Sequence, residues 1–140
     1  MTHMRATSAF PALVFGVLLT GCGHHVSNYQ FTNSSIEPSA AGRVQITHDK
    51  NGNNVVNIRV YHLADPAQLA PPKTGYVVWE QPRGMPAKNL GQLKADHDLN
   101  GSLSATTVDK NFDVFVTAED NLHGDVPSGP EVLRTSVSTS

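Results

Sequence analysis

Phe112-Asp113-Val114-Phe115-Val116-Thr117 sets Phe112, Val114 and Val116 on one parity against Asp113, Phe115 and Thr117 on the other. Successive side chains of a strand point to opposite faces, so this alternation predicts a strand with one face in a core. The same pattern recurs on both sides of it. Arg43–His48 and Val55–His62 alternate polar and apolar residues around Asp49-Lys50-Asn51-Gly52-Asn53-Asn54. Asn-Gly suits positive φ and is a strong hairpin signal. Thr74-Gly75-Tyr76-Val77-Val78-Trp79-Glu80 is apolar on both parities, as expected of a central strand, and Pro82-Arg83-Gly84-Met85-Pro86 turns the chain after it. Asn89–Lys94, Ser102–Thr107 and Glu131–Val137 complete seven short strands.

Seven strands with turns every eight to twelve residues predict an all-β fold, a single immunoglobulin-like Greek-key β-sandwich over residues 42–138. Trp79, on the third strand, is expected in the core tryptophan position of such folds, without the inter-sheet disulfide. Leu63–Lys73, with Pro66, Pro71 and Pro72, is expected to cross over as a loop with one helical turn at Pro66–Leu69. Residues 22–41 are polar and rich in Ser and Asn, which predicts a flexible tether.

The N-terminus has a different composition. Arg5 and the free amine give a positive start, and Ala9–Leu19 is an apolar run of eleven residues. Such a helix rises only ~16 Å against a hydrocarbon core of about 30 Å, so a cleaved secretory signal over residues 1–21 is expected rather than a membrane span. Leu19-Thr20-Gly21-Cys22 resembles the lipobox of bacterial lipoproteins. That resemblance implies cleavage before Cys22, lipidation of its thiol and acylation of its amine. Cys22 is the single cysteine of the chain, so it has no disulfide partner within the monomer. More than one acyl chain makes such an anchor firm. Gly23 stands where some bacteria place the Asp that retains lipoproteins in the inner membrane, which favours the outer membrane, facing the periplasm.

Loss of the leader removes Arg5 and leaves 119 residues with 9 basic and 12 acidic side chains, a net charge of −3. One domain with one core fits that length. No run of Lys or Arg occurs, which argues against nucleic acid or anionic lipid as the main partner.

Catalytic signatures are absent from the sequence: there is no G-x-S-x-G, no H-E-x-x-H and no phosphate-binding glycine loop. His3 leaves with the leader, His24 and His25 lie in the tether, and His48, His62, His97 and His123 fall on strand ends or turns without metal-binding spacing. Glu119 and Asp120 are adjacent carboxylates at a strand end. With a histidine they would define a loop-built hydrolase or metal-dependent enzyme. Asp96-His97-Asp98-Leu99-Asn100-Gly101 fits the opening of a calcium loop, so Asp96, Asp98 and Asn100 are the candidate metal ligands. A calcium cage closes with a bidentate carboxylate at its twelfth position, which here is Thr107, so a structural turn is expected instead. No cofactor is implied.

Tyr76-Val77-Val78-Trp79, Asn89-Leu90-Gly91, Phe115-Val116-Thr117-Ala118-Glu119 and Pro127-Ser128-Gly129-Pro130-Glu131-Val132-Leu133 together resemble the extracytoplasmic C-terminal domain of anti-sigma-K factors, over residues 42–137. The resemblance implies a small sandwich outside the cytoplasmic membrane. Those regulators also carry a sigma-binding domain and a spanning helix, and neither is seen in this sequence, so the resemblance implies a shared sandwich without direct sigma-factor contact. The expected function is a lipid-anchored, non-enzymatic envelope module with an unspecified protein or glycan partner, the alternatives being the loop-built enzyme and an extracytoplasmic sensor.

Overall fold

The computed structural model describes residues 25–140. Ten strands follow one another: β1 Ser27–Gln30, β2 Thr32–Asn33, β3 Ala41–His48, β4 Asn54–Tyr61, β5 Gly75–Pro82, β6 Lys88–Gln92, β7 Lys94–Ala95, β8 Gly101–Thr107, β9 Asn111–Glu119 and β10 Glu131–Ser138. They form two five-stranded sheets, ordered β1-β3-β4-β8-β7 and β2-β10-β9-β5-β6, with every pairing antiparallel. The fold is therefore an all-β sandwich. With the short edge strands β1 and β2 set aside, β3-β4-β8-β7 and β10-β9-β5 follow the A-B-E-D and G-F-C orders of immunoglobulin topology, and β6 is added beside β5. A single 3₁₀ turn, Pro66–Gln68, is capped by Asp65, whose side chain accepts from the Ala67 amide. Among the described residues no helix is long and apolar enough to cross a membrane.

All seven expected strands are present, and three short ones join them. Two of these correct the tether. Residues 27–40, expected to be flexible, belong to the fold. β1 pairs with β3 from Ser27 opposite Ile46 to Gln30 opposite Arg43, and β2 pairs with β10. The segment therefore supplies an edge strand to each sheet, passing between them at Phe31, whose amide donates to Gly42 O at 3.0 Å. An edge strand draws its stability from backbone bonds that need no apolar run, and Tyr29 and Phe31 suffice to pack it against the core. Glu37 is also buried. Its Oε2 accepts from the Ala64 amide at 2.9 Å and its Oε1 from the Tyr76 hydroxyl.

The expected strand Asn89–Lys94 is divided. β6 lies in one sheet and β7 in the other, and the chain changes sheets at buried Leu93, whose amide donates to Tyr76 O at 2.9 Å.

The core between the sheets takes one parity of each strand: Val44 and Ile46 of β3, Val56, Ile58 and Val60 of β4, Tyr76 and Val78 of β5, and Phe112, Val114 and Val116 of β9. Val77, Trp79 and Phe115 form a second cluster on the other face of the β5–β9 pair, with Ala87 and Leu122 packed against it. Trp79 is thus not the inter-sheet tryptophan expected from its strand. Tyr76 and Val78 fix the inward parity of β5, and pleating sends Trp79 outward. It is nonetheless fully buried.

Candidate functional site

Over the outer face of β5 and β9, one polar chain runs from the indole to the loop at residues 120–130. Trp79 Nε1 donates to Thr117 Oγ1 at 2.7 Å, and that hydroxyl donates to Glu119 Oε1 at 2.6 Å. The Glu119 carboxylate also accepts from the Ser128 amide (3.0 Å), the Ser128 hydroxyl (2.7 Å) and the Gly129 amide (2.9 Å). Burial pushes this carboxyl up, but the four donors outweigh burial and hold it below the ordinary range. Beside it, Phe115 stacks on Trp79 with ring centroids 6.4 Å apart, and the Arg134 guanidinium lies 4.2 Å from the Phe115 centroid. Arg134 is held by two hydrogen bonds to Glu131 and one to Asp113.

Glu119 and Asp120 share no partner. Asp120 Oδ2 pairs with Lys73 Nζ at 2.9 Å, and the exposed His123 uses its amide to cap Asn121 Oδ1. Among the described residues no histidine joins Glu119 and Asp120 in one cluster.

A third buried carboxylate was not anticipated. Glu80 points inward at one end of the sandwich, 2 % exposed, and accepts from Thr107 Oγ1 at 2.7 Å. Burial raises its pKa, while Lys88, 2.7 Å from Asp109 Oδ2, holds the neighbouring Asp109 carboxyl down. Among the described residues, every buried side-chain nitrogen and oxygen has a hydrogen-bond partner.

The candidate calcium turn at Asp96–Gly101 and the hairpin turn at Asp49–Asn53 share one geometry. Asp49 Oδ1 accepts from the amides of Asn51 (2.8 Å) and Asn53 (2.9 Å), and its own amide donates to Asn53 O. Asp96 Oδ1 accepts from the amides of Asp98 (2.9 Å) and Asn100 (3.0 Å), and its amide donates to Asn100 O. In each turn the fourth residue has positive φ, 82° at Gly52 and 59° at Leu99. Hydrogen bonds from these amides lower both aspartates, the Asn53 side chain adding the largest contribution at Asp49. These carboxylates organise backbone. Among the described residues, no three His, Cys, Asp or Glu side chains are grouped to hold a metal. Cys22 and the leader lie outside the described residues.

A further concavity lies elsewhere, on the outer face of the β3-β4-β8-β7 sheet. It is a shallow groove of about 690 Å³ lined by Arg43, Gln45, Asn57, Arg59, Lys94 and Ser102 among others. Register explains it. Arg43 stands opposite Arg59, Arg59 opposite Ser102, and Ser102 opposite Lys94, so three cations share one row across four strands. The next row is Gln45, Asn57 and Ser104. Ser104 donates to Asn57 at 2.9 Å and Gln45 to Asn28 at 3.3 Å. Each cation is exposed, and among the described residues none has a carboxylate within ion-pair distance.

Sequence reasoning missed this row because its charges are scattered over three segments. Two of them were accessible from the hairpin: Arg43 and Arg59 lie equally far on either side of Asn51. No family model matches the chain, and neither does any curated protein or solved structure.

Proposed function

We propose that this chain is a lipid-anchored, non-enzymatic binding module of the bacterial cell envelope, held at the outer membrane and facing the periplasm, with the β3-β4-β8-β7 face as its binding surface. The observation that carries the binding role is the row Arg43, Arg59 and Lys94, which lines one groove and has no ion-pair partner among the described residues. Like charges directly opposite on neighbouring strands destabilise a sheet, so the row is better explained by a ligand than by folding. The buried carboxylates support the non-enzymatic side of the reading, since Glu119, Glu37 and Glu80 each have internal donors.

The anchor rests on Leu19-Thr20-Gly21-Cys22. Ser27 lies five residues after Cys22, a length that spans at most about 18 Å when extended, so the sandwich is held close to the bilayer. Mass spectrometry of the protein extracted from its native membrane tests this part. A mature chain starting at a diacylated, N-acylated Cys22 is expected, with Cys22→Ala shifting the protein out of the membrane fraction. An unmodified Cys22, or a mature start elsewhere, would overturn the anchor.

A further inference from the structure

We propose that the groove on the β3-β4-β8-β7 face binds an acidic polysaccharide bearing carboxylates. This deepens the binding reading above and rests on it. Three features select the ligand class. The row Arg43, Arg59, Lys94 runs across three strand spacings, ~14 Å, which suits an extended ligand with repeated negative charge. Arginine presents a planar fork that takes a carboxylate through two parallel hydrogen bonds, and two such forks stand side by side. Gln45, Asn57, Ser102 and Ser104 surround them with neutral donors and acceptors, the complement of sugar hydroxyls.

The lining also disfavours other partners. It contains no aromatic side chain, so single-stranded nucleic acid would find no stacking platform. It has no buried aromatic anchor of the kind that dominates protein interfaces, and Ile58 and Leu103 are its apolar residues. The mature chain is acidic overall, so this cationic strip is a local feature and not a general affinity for anions. An anion bridging Arg43 and Arg59 also relieves their mutual repulsion.

The test uses the full chain purified from membranes in neutral detergent, with polygalacturonate as probe and calorimetry as readout. Polygalacturonate should bind at about 50 mM salt and weaken as salt screens the charges. Arg43→Gln/Arg59→Gln/Lys94→Gln should weaken binding by about tenfold or more, each lost fork removing charge-assisted hydrogen bonds. A charge-matched control, Lys50→Gln/Arg83→Gln/Lys110→Gln, alters cations outside the groove and should bind as the native protein does. Thermal melts of both triple variants confirm that each is folded. The proposal is overturned by absence of binding, by equal loss in the two triple variants, by equal binding of neutral dextran, or by binding of polyphosphate or single-stranded DNA in place of polygalacturonate. Release of new reducing ends would overturn the non-enzymatic reading while leaving the site in place, so the two can fail separately.

Discussion

The indole nitrogen of Trp79 and the hydroxyl of Thr117 meet at 2.7 Å on the outer face of β5 and β9, both side chains shielded from water. That hydroxyl has a second duty as a donor to Glu119. Thr117→Val keeps the shape and removes both bonds, leaving an indole N–H unpaired and Glu119 one donor short. The expected cost is about 2–3 kcal/mol, the usual penalty for stranding buried polar groups. Urea unfolding checks it, and a change below about 0.5 kcal/mol would mean that the chain of bonds contributes nothing.

Gly129 sits at the foot of the 120–130 loop, where an added Cβ would lie 1.7 Å from Ala118 O. No rotamer relieves a clash with backbone. Gly129→Ala should therefore lift the loop from the sheet and break the hydrogen bond that the residue 129 amide donates to Glu119, costing roughly 3 kcal/mol or more. Faster hydrogen exchange at Ser128 is the accompanying signature, and an unchanged melting temperature would contradict the close approach.

Glu80 and Glu119 should govern opposite limbs of the stability–pH curve. Folding raises the Glu80 pKa above its ordinary 4.5, so the folded state holds this proton more tightly than the unfolded chain does. Stability is then withdrawn as pH rises from about 4.5 through the elevated value. Glu80→Gln, which can still accept from Thr107, should raise the melting temperature at about pH 7 and make no difference near pH 4. Glu119 behaves inversely. Its folded pKa is depressed, so its contribution is present above 4.5 and is lost as pH falls through the lower value. Melting curves of both glutamine variants from pH 3 to 8 separate the two, and a Glu80→Gln protein less stable at neutral pH would refute the assignment.

The paired turns make a prediction about metal. Asp49→Ala and Asp96→Ala should each lower the melting temperature, because each carboxylate organises two backbone amides. Millimolar calcium should leave the native melting temperature unchanged, since a ligand that binds only the folded state would raise it. A rise of several degrees, abolished by Asp98→Ala, would show that the second turn is a metal loop.

Much of the architecture was legible because strand patterning is a local signal: β3, β4 and β9 carry their own period-two alternation, and β5 is apolar on both parities. What lay outside that signal was relational. Asn28, Gln30 and Thr32 look like linker residues until β3 and β10 offer them ladders. The outward face of Trp79 depended on a loop some forty residues later that covers it. Arg43 and Arg59 could be paired by counting from the Asn51 turn, whereas Lys94 could not. Its place in the row follows from the change of sheet at Leu93, which no local pattern announces.

The pairing of β1 with β3 also has a mechanical meaning. A lipid on Cys22 and a polymer in the groove would pull on the same two neighbouring strands, since Gln30 of β1 stands opposite Arg43 of β3. Tension between bilayer and polymer would then cross four residue pairs, without passing through the core or the second sheet. Drawn along the strand axis, those rungs share the load in shear and do not open one after another. The short strand β1 would thus act as a strain-bearing link, and its failure would lengthen the tether by the residues it releases, leaving the domain covalently joined to its lipid and the groove loaded.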